Sequence, residues 1–223
     1  MTLDRAQLVI FDCDGVLVDS ERIYCRVDRD VFARLGAKFS EEEMADLFVG
    51  SSKKQLTALV EERAGRRLQD GWDLPFQHLY DEALDAELTA VDGVTEVLDA
   101  LDVPFCLASN GGHTSIRRNL TRAGLLDRFE GRLFSAHDVA HGKPAPDLFL
   151  HAARAMGVPP ERCAVVEDSA YGVQAARAAG MRVFGYAGGL TRADRLAGPG
   201  THLFTHMREL PALLAVGSVQ KGQ

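Results

Sequence analysis

Leu8-Val9-Ile10-Phe11-Asp12-Cys13-Asp14-Gly15-Val16-Leu17-Val18-Asp19-Ser20 is the stretch that sets the fold. Its first four residues are apolar and rich in β-branched and aromatic side chains, and a glycine-containing turn follows. They read as a buried strand. Asp12 then falls at the strand's carboxyl end, where open α/β sheets place their ligands. Asp14 points the same way as Asp12 if the strand runs on through Asp14 before Gly15 turns it. Two carboxylates would then converge on one site.

Beyond Ser20 the period becomes helical. Tyr24, Val27, Val31 and Leu35 recur at i+3/i+4 spacing, and Gly36 closes the segment. Further helices are expected over 41–48, from about 53 to Gly65, and over 74–88, with Ser52 and Gln55 forming a capping box for the second of these. No strand pattern interrupts residues 20–90, so they form a separate helical unit. From Val91 the chain alternates. Helices at 94–101, 114–123, 148–156, 171–179 and 210–214 are interleaved with strands at 105–108, 133–135, 163–166, 182–186 and 202–204. That alternation predicts an α/β fold, a doubly wound parallel sheet with helices on both faces, to which the first strand belongs across the insert. The expected division is a core of 1–18 and 91–216, a helical cap of 19–90 and a flexible tail of 217–223. Asp19 is expected to cap the first insert helix, Asp147 the helix beginning at Leu148, and Ser169 the Ala-rich helix after it. Gly93, and the Gly188-Gly189 pair, read as hinges.

Composition narrows the function. The 223 residues suffice for one full domain plus a smaller one. A net charge of −7 with no basic block argues against nucleic acid as a partner, since such binding rests on clustered cations. The acid excess sits in residues 18–90, which carry 16 Asp/Glu against 10 Lys/Arg. No apolar run has the length of a membrane span and no signal-peptide pattern opens the chain, so a cytoplasmic protein without a membrane partner is expected. No extended apolar surface helix asks for a second copy, which predicts a monomer. Cys13, Cys25, Cys106 and Cys163 form no C-x-x-C pair and read as reduced core residues. The histidines lack the spacing of a zinc site.

Polar residues recur just after the strands: Ser109, Asn110 and Gly111 after the second, Glu167 and Asp168 after the fourth, and Lys143 in Gly142-Lys143-Pro144-Ala145-Pro146-Asp147. All lie on the sheet edge that holds Asp12 and Asp14. The set suits phosphoryl transfer from a monoester. Mg²⁺ prefers hard oxygen ligands, and Asp12, Asp168, the Asp14 carbonyl and, near or through water, Glu167 would supply them. Asp12 is the candidate nucleophile. Asp14 is the candidate acid and base. Lys143 would stabilise the Asp12 carboxylate and the transferring oxygens. Ser109, Asn110 and Gly111 would hold the phosphoryl group.

These residues, taken in order from Asp12-Cys13-Asp14-Gly15 through Ser109 and Gly142-Lys143-Pro144 to Glu167-Asp168-Ser169, resemble the four motifs of the haloacid dehalogenase superfamily along nearly the whole chain. A helical cap after the first strand resembles its subfamily of phosphatases and β-phosphoglucomutases. The flanking stretches look most like the sugar-phosphate phosphatases, the 6-phosphogluconate type among them. The resemblance implies a Mg²⁺-dependent phosphatase acting on a small phosphorylated metabolite through an aspartyl-phosphate, and a cis Lys143-Pro144 bond. It implies that Lys53, more than Lys54, touches the substrate from the cap, and that His113 faces the leaving group. A mutase would share every catalytic motif, but Glu21-Arg22-Ile23-Tyr24 stands where its histidine is expected and Lys53 where its arginine is. A phosphoglycolate phosphatase is a further alternative. Asp14 disfavours dehalogenase and phosphonatase chemistry, and the intact set disfavours a non-catalytic regulator.

Overall fold

The computed structural model describes residues 5–48 and 53–215. Six strands form one parallel sheet: β1 (Leu8–Phe11), β2 (Phe105–Ser109), β3 (Leu133–Ser135), β4 (Cys163–Glu167), β5 (Arg182–Tyr186) and β6 (Thr201–Phe204), in the order β3-β2-β1-β4-β5-β6. β1 is central, with Ile10 opposite Cys106 on one side and Val165 on the other. Every β1 side chain is buried, as a strand covered on both faces requires. Successive residues of a strand face opposite sides, and the core divides accordingly. Val9 and Phe11 join one apolar cluster, Leu8 and Ile10 the other.

Four helices follow β1 before the chain returns to the sheet: α1 (Glu21–Arg34), α2 (Glu41–Phe48), α3 (Lys53–Ala64) and α4 (Gln77–Glu87). A 3-10 turn at Leu74–Phe76, carrying Pro75, leads into α4. Then come α5 (Val94–Ala100), α6 (His113–Arg122), α7 (Leu126–Phe129), α8 (Asp147–Ala155), α9 (Ala170–Ala178), α10 (Ala193–Leu196) and α11 (Leu210–Ala215). α8 and α9 pack on the Leu8/Ile10 side of the sheet, and α5, α6 and α11 on the other. The helical segment leaves and re-enters the sheet region at adjacent points. Val18 and Ala90 pair antiparallel, Asp19 donates its N–H to Thr89 O at 3.0 Å, and Val91 donates to Leu17 O at 3.0 Å.

Several local expectations are corrected. β1 stops at Phe11. Asp14 lies beyond it in an isolated bridge to Val18, and Gly15 takes φ +77° to make the turn. Ser20, not Asp19, is the N-cap of α1, and Asp19 pairs with Arg22 at 3.6 Å. Pro146 occupies the N-cap of α8. Asp147 is that helix's first residue, and its carboxylate meets His141 Nδ1 at 3.0 Å. Ser169 does cap α9, accepting from Gly172 N–H at 3.0 Å. Ser52 and the tail at 217–223 lie outside the described residues. All four cysteines are free. Among the described residues no helix is long and apolar enough to cross a membrane.

Candidate active site

The carboxyl edge of the sheet brings Asp12, Asp14, Ser109, Asn110, Gly111, Lys143, Glu167 and Asp168 to one cavity of about 640 Å³, closed on its far side by residues of α1, α3 and α4. Asp12 sits one residue past β1, its N–H donating to Val166 O at 3.0 Å. Lys143 reaches it from the loop before α8 across a cis Lys143-Pro144 bond. The buried Nζ of Lys143 donates to Asp12 Oδ1 and to Glu167 Oε1, the latter at 2.6 Å, and lies 4.8 Å from the centre of the Phe149 ring.

Two residues hold this lysine's surroundings still. Asn110 accepts from Lys143 N–H at 2.8 Å and donates to Lys143 O at 3.1 Å, so its amide clamps the loop backbone. Glu167 is fully buried, and its second oxygen accepts from both Ser169 N–H and Ser169 Oγ at 2.9 Å. Both Glu167 oxygens are thereby engaged, which makes it a holder of Lys143 before anything else. Gly172 on α9 makes room for it, because a Cβ there would overlap the Glu167 carboxylate.

Asp14 is placed differently. Its Oδ1 accepts from Ser20 Oγ at 2.6 Å and from Asn119 Nδ2 at 3.4 Å, both neutral donors. Ser109 ends β2, buried, with its Oγ accepting from Gly111 N–H at 3.1 Å. Asp168 is buried beside Gly15, whose missing Cβ leaves space for the carboxylate, and Asp168 Oδ2 has no partner.

Burial dominates the electrostatics. It pushes Asp12 up to about 7, with Lys143 pulling down and Glu167 and Asp14 pushing further up. Burial also raises Asp14, against the hydrogen bonds from Ser20 and Asn119, and raises Asp168 well above the carboxylate range, with Glu21 and Glu167 adding to the shift. Burial disfavours the Lys143 ammonium too, but the Asp12 and Glu167 carboxylates outweigh it and hold the charge on. One cation is shared among several buried carboxylates, so a deficit of positive charge remains. Oxygens of Asp12, Glu167 and Asp168 all lie within 4.8 Å of one another. An unpartnered buried carboxylate oxygen in an all-oxygen cluster fits a hard divalent cation.

Two other expected residues are placed less centrally. Lys53, at the start of α3, lines the cavity but pairs with Asp73 at 2.8 Å. His113 does not line it; its Nε2 meets Asp138 at 2.8 Å. The helix turns about 100° per residue, so the first residue of α6 points elsewhere than Ser115 and Arg118, which do line the cavity. Sequence reasoning missed Asn119. The available signal was an amide in the buried stripe Ile116, Asn119, Leu120 of an otherwise polar helix. It also missed Glu21, Tyr24 and Asp28, which α1 presents at helical spacing. Burial lifts Glu21 to about 8, aided by Asp14 and Asp12, and lifts Asp28 to about 6 against the Tyr80 hydrogen bond.

Comparison with known proteins agrees with this geometry. The model of the haloacid dehalogenase-like hydrolases matches residues 6–180. The chain is 34% identical over 215 residues to the 6-phosphogluconate phosphatase of Escherichia coli, covering 95% of this chain and 96% of the relative. A conserved haloacid dehalogenase-like protein of unknown function from Agrobacterium tumefaciens superposes with a TM-score of 0.85 at 40% identity, over 94% of this chain and 98% of the other. A hydrolase of the same family from Deinococcus radiodurans, solved with bound phosphate and sodium, gives a TM-score of 0.79 at 32% identity over 95% and 96% of the two chains. The family model spans the first four strands, the similarity to the Escherichia coli relative runs over nearly the whole chain, and the chain belongs to the haloacid dehalogenase-like hydrolase family.

Proposed function

We propose that this chain is a Mg²⁺-dependent phosphatase acting on a small phosphorylated metabolite, a sugar or sugar-acid phosphate. The observation that carries this reading is the unlike partnering of two neighbouring carboxylates. Asp12 faces the Lys143 ammonium, while Asp14 faces a hydroxyl and an amide. Burial raises both carboxyls, but only Asp12 has an ammonium against it to hold the anion and act as nucleophile; the neutral donors to Asp14 offset its burial only in part, which leaves Asp14 as the acid. The Escherichia coli relative is a 6-phosphogluconate phosphatase, which supports the substrate class.

Asp12 attacks phosphorus as the bond to the leaving oxygen breaks, and the Asp14 carboxylic acid gives its proton to that oxygen. The Asp14 carboxylate then takes a proton from the water that attacks the aspartyl-phosphate. The bond from phosphorus to Asp12 breaks, orthophosphate departs and Asp12 is regenerated. Lys143 and Ser109 offset charge on the phosphoryl oxygens. Asp12, Asp168 and the Asp14 carbonyl would hold Mg²⁺, with Glu167 close by, and the ion would supply the remaining positive charge. Lys53 contributes a cation at the leaving-group end of the cavity. A phosphate-release screen over sugar and sugar-acid phosphates, with EDTA and then Mg²⁺, tests the proposal. Release that depends on Mg²⁺ is expected. No release from any compound, or isomerisation of glucose 1-phosphate without free phosphate, would overturn it.

The metal assignment has its own pH signature. In the metal-free protein Asp12, Asp28 and Glu21 have folded values of about 7, 6 and 8, all above their values in the unfolded chain. The folded state therefore binds more protons between about pH 4 and pH 8. The stability associated with these groups is full below their unfolded values and is lost as pH rises through the folded ones. At Asp12 and its neighbours in the acidic cluster Mg²⁺ would supply the charge that protons supply at low pH, so it raises the melting temperature more at pH 8 than at pH 5. Thermal scans with EDTA or Mg²⁺ at both pH values read this directly, and an equal gain at pH 5 would contradict it.

A further inference from the structure

Asn119 is 1% exposed, in the middle of α6, where an apolar side chain would pack at no polar cost. Its amide orientation is fixed by its partners. Nδ2 donates to Asp14 Oδ1 at 3.4 Å and to Tyr24 OH at 3.2 Å, while Oδ1 accepts from Arg122 Nη1 at 3.4 Å. A carboxylate demands the NH₂ side and a guanidinium demands the oxygen, so the amide has one workable orientation. Arg122 is itself anchored on α4, with Nε donating to Asp85 at 2.6 Å. Ser20 and Asn119 both donate to the same oxygen of Asp14, Oδ1. That leaves Oδ2 as the oxygen on which a proton can reside.

We infer that Asn119 is a positioning residue for Asp14: with Ser20 it fixes the carboxyl rotamer so that the Oδ2 proton is aimed at the leaving oxygen, and it ties that aim to α4 through Arg122. The inference rests on the phosphatase reading above. As the phosphorus–oxygen bond breaks, its electron pair passes to the leaving oxygen and the Oδ2 proton follows. The Asp14 carboxylate that results keeps both Oδ1 donors, which stabilise it.

The leaving group separates this role from a structural one. A sugar alkoxide needs the proton, whereas p-nitrophenolate departs as a stable anion. In Asn119→Ala, kcat/KM on the best sugar phosphate, which reports only the steps up to departure of the leaving group, is expected to fall about 100-fold, while kcat/KM on p-nitrophenyl phosphate falls less than about 3-fold. Asn119→Asp keeps the side-chain volume and replaces the donor with an acceptor, so the same selective loss is expected there. It decides the matter if the alanine variant does not fold. Equal losses on both substrates, or none on either, would overturn the inference. A wild-type protein that hydrolyses neither substrate would instead overturn the phosphatase reading.

Discussion

On the proposed mechanism Asp12→Asn lowers phosphate release by at least about 10⁴-fold, because the group that would form the covalent intermediate is gone and the remaining parts act only around it. The amide has the shape of the carboxylate, so packing at the end of β1 is unchanged. Lys143 keeps Glu167 at 2.6 Å, and the variant melts close to wild type. Phosphate release and a thermal scan on the same preparation make the measurement. Residual turnover within tenfold of wild type would remove Asp12 from the nucleophile's role. Loss of turnover together with loss of fold would show that its main work is structural.

Lys143→Met has a second large effect, this time on stability as well as turnover. The lysine is buried between Asp12 and Glu167. Removing one partner of a buried ionic group leaves uncompensated charge and costs about 3–5 kcal/mol. Methionine fills the space of the side chain against Phe149 but supplies no charge. Urea unfolding at pH 7 without metal should show a lower midpoint at unchanged slope. The deficit shrinks as pH falls, because protons neutralise the abandoned carboxylates in the folded variant before they do so in the unfolded chain. A loss below about 1 kcal/mol at pH 7 would mean the cluster behaves as solvated surface pairs do.

The sheet was legible because each strand is short, apolar and bounded by turn residues. β1, β3 and β5 fall where the sequence places them to the residue. The core of the site was legible for the same reason. A residue just beyond a parallel strand has few places to be other than the carboxyl edge. Partners were not legible. Asp19 and Asp147 have the composition of caps, but Ser20 and Pro146 hold those positions. The backbone path, not the side-chain type, decides which residue precedes the first helical turn. Asn110 lines the cavity, but its grip on the Lys143 backbone on both sides carried no signal in the sequence. Asn119 meets Asp14 across 105 residues of chain, a contact no local period encodes. α7 and α10, with four residues each, are too short for a helical period to register. The wall contributed by α1, α3 and α4 was readable as helices but not as a binding surface, because its residues meet only after the segment folds back over the sheet.

The antiparallel pairing of Val18 with Ala90 brings the two ends of the helical segment together. Residues so paired have Cα atoms about 5 Å apart. The carboxyl edge of the sheet therefore meets everything between them as a loop with its two ends already closed. Doubling such a loop adds only about 0.6 kcal/mol of closure entropy. Selection can lengthen, shorten or replace the helices above the cavity while Asp12, Lys143 and Asp168 keep their places. The chemistry and the choice of leaving group can thus drift at different rates along one chain.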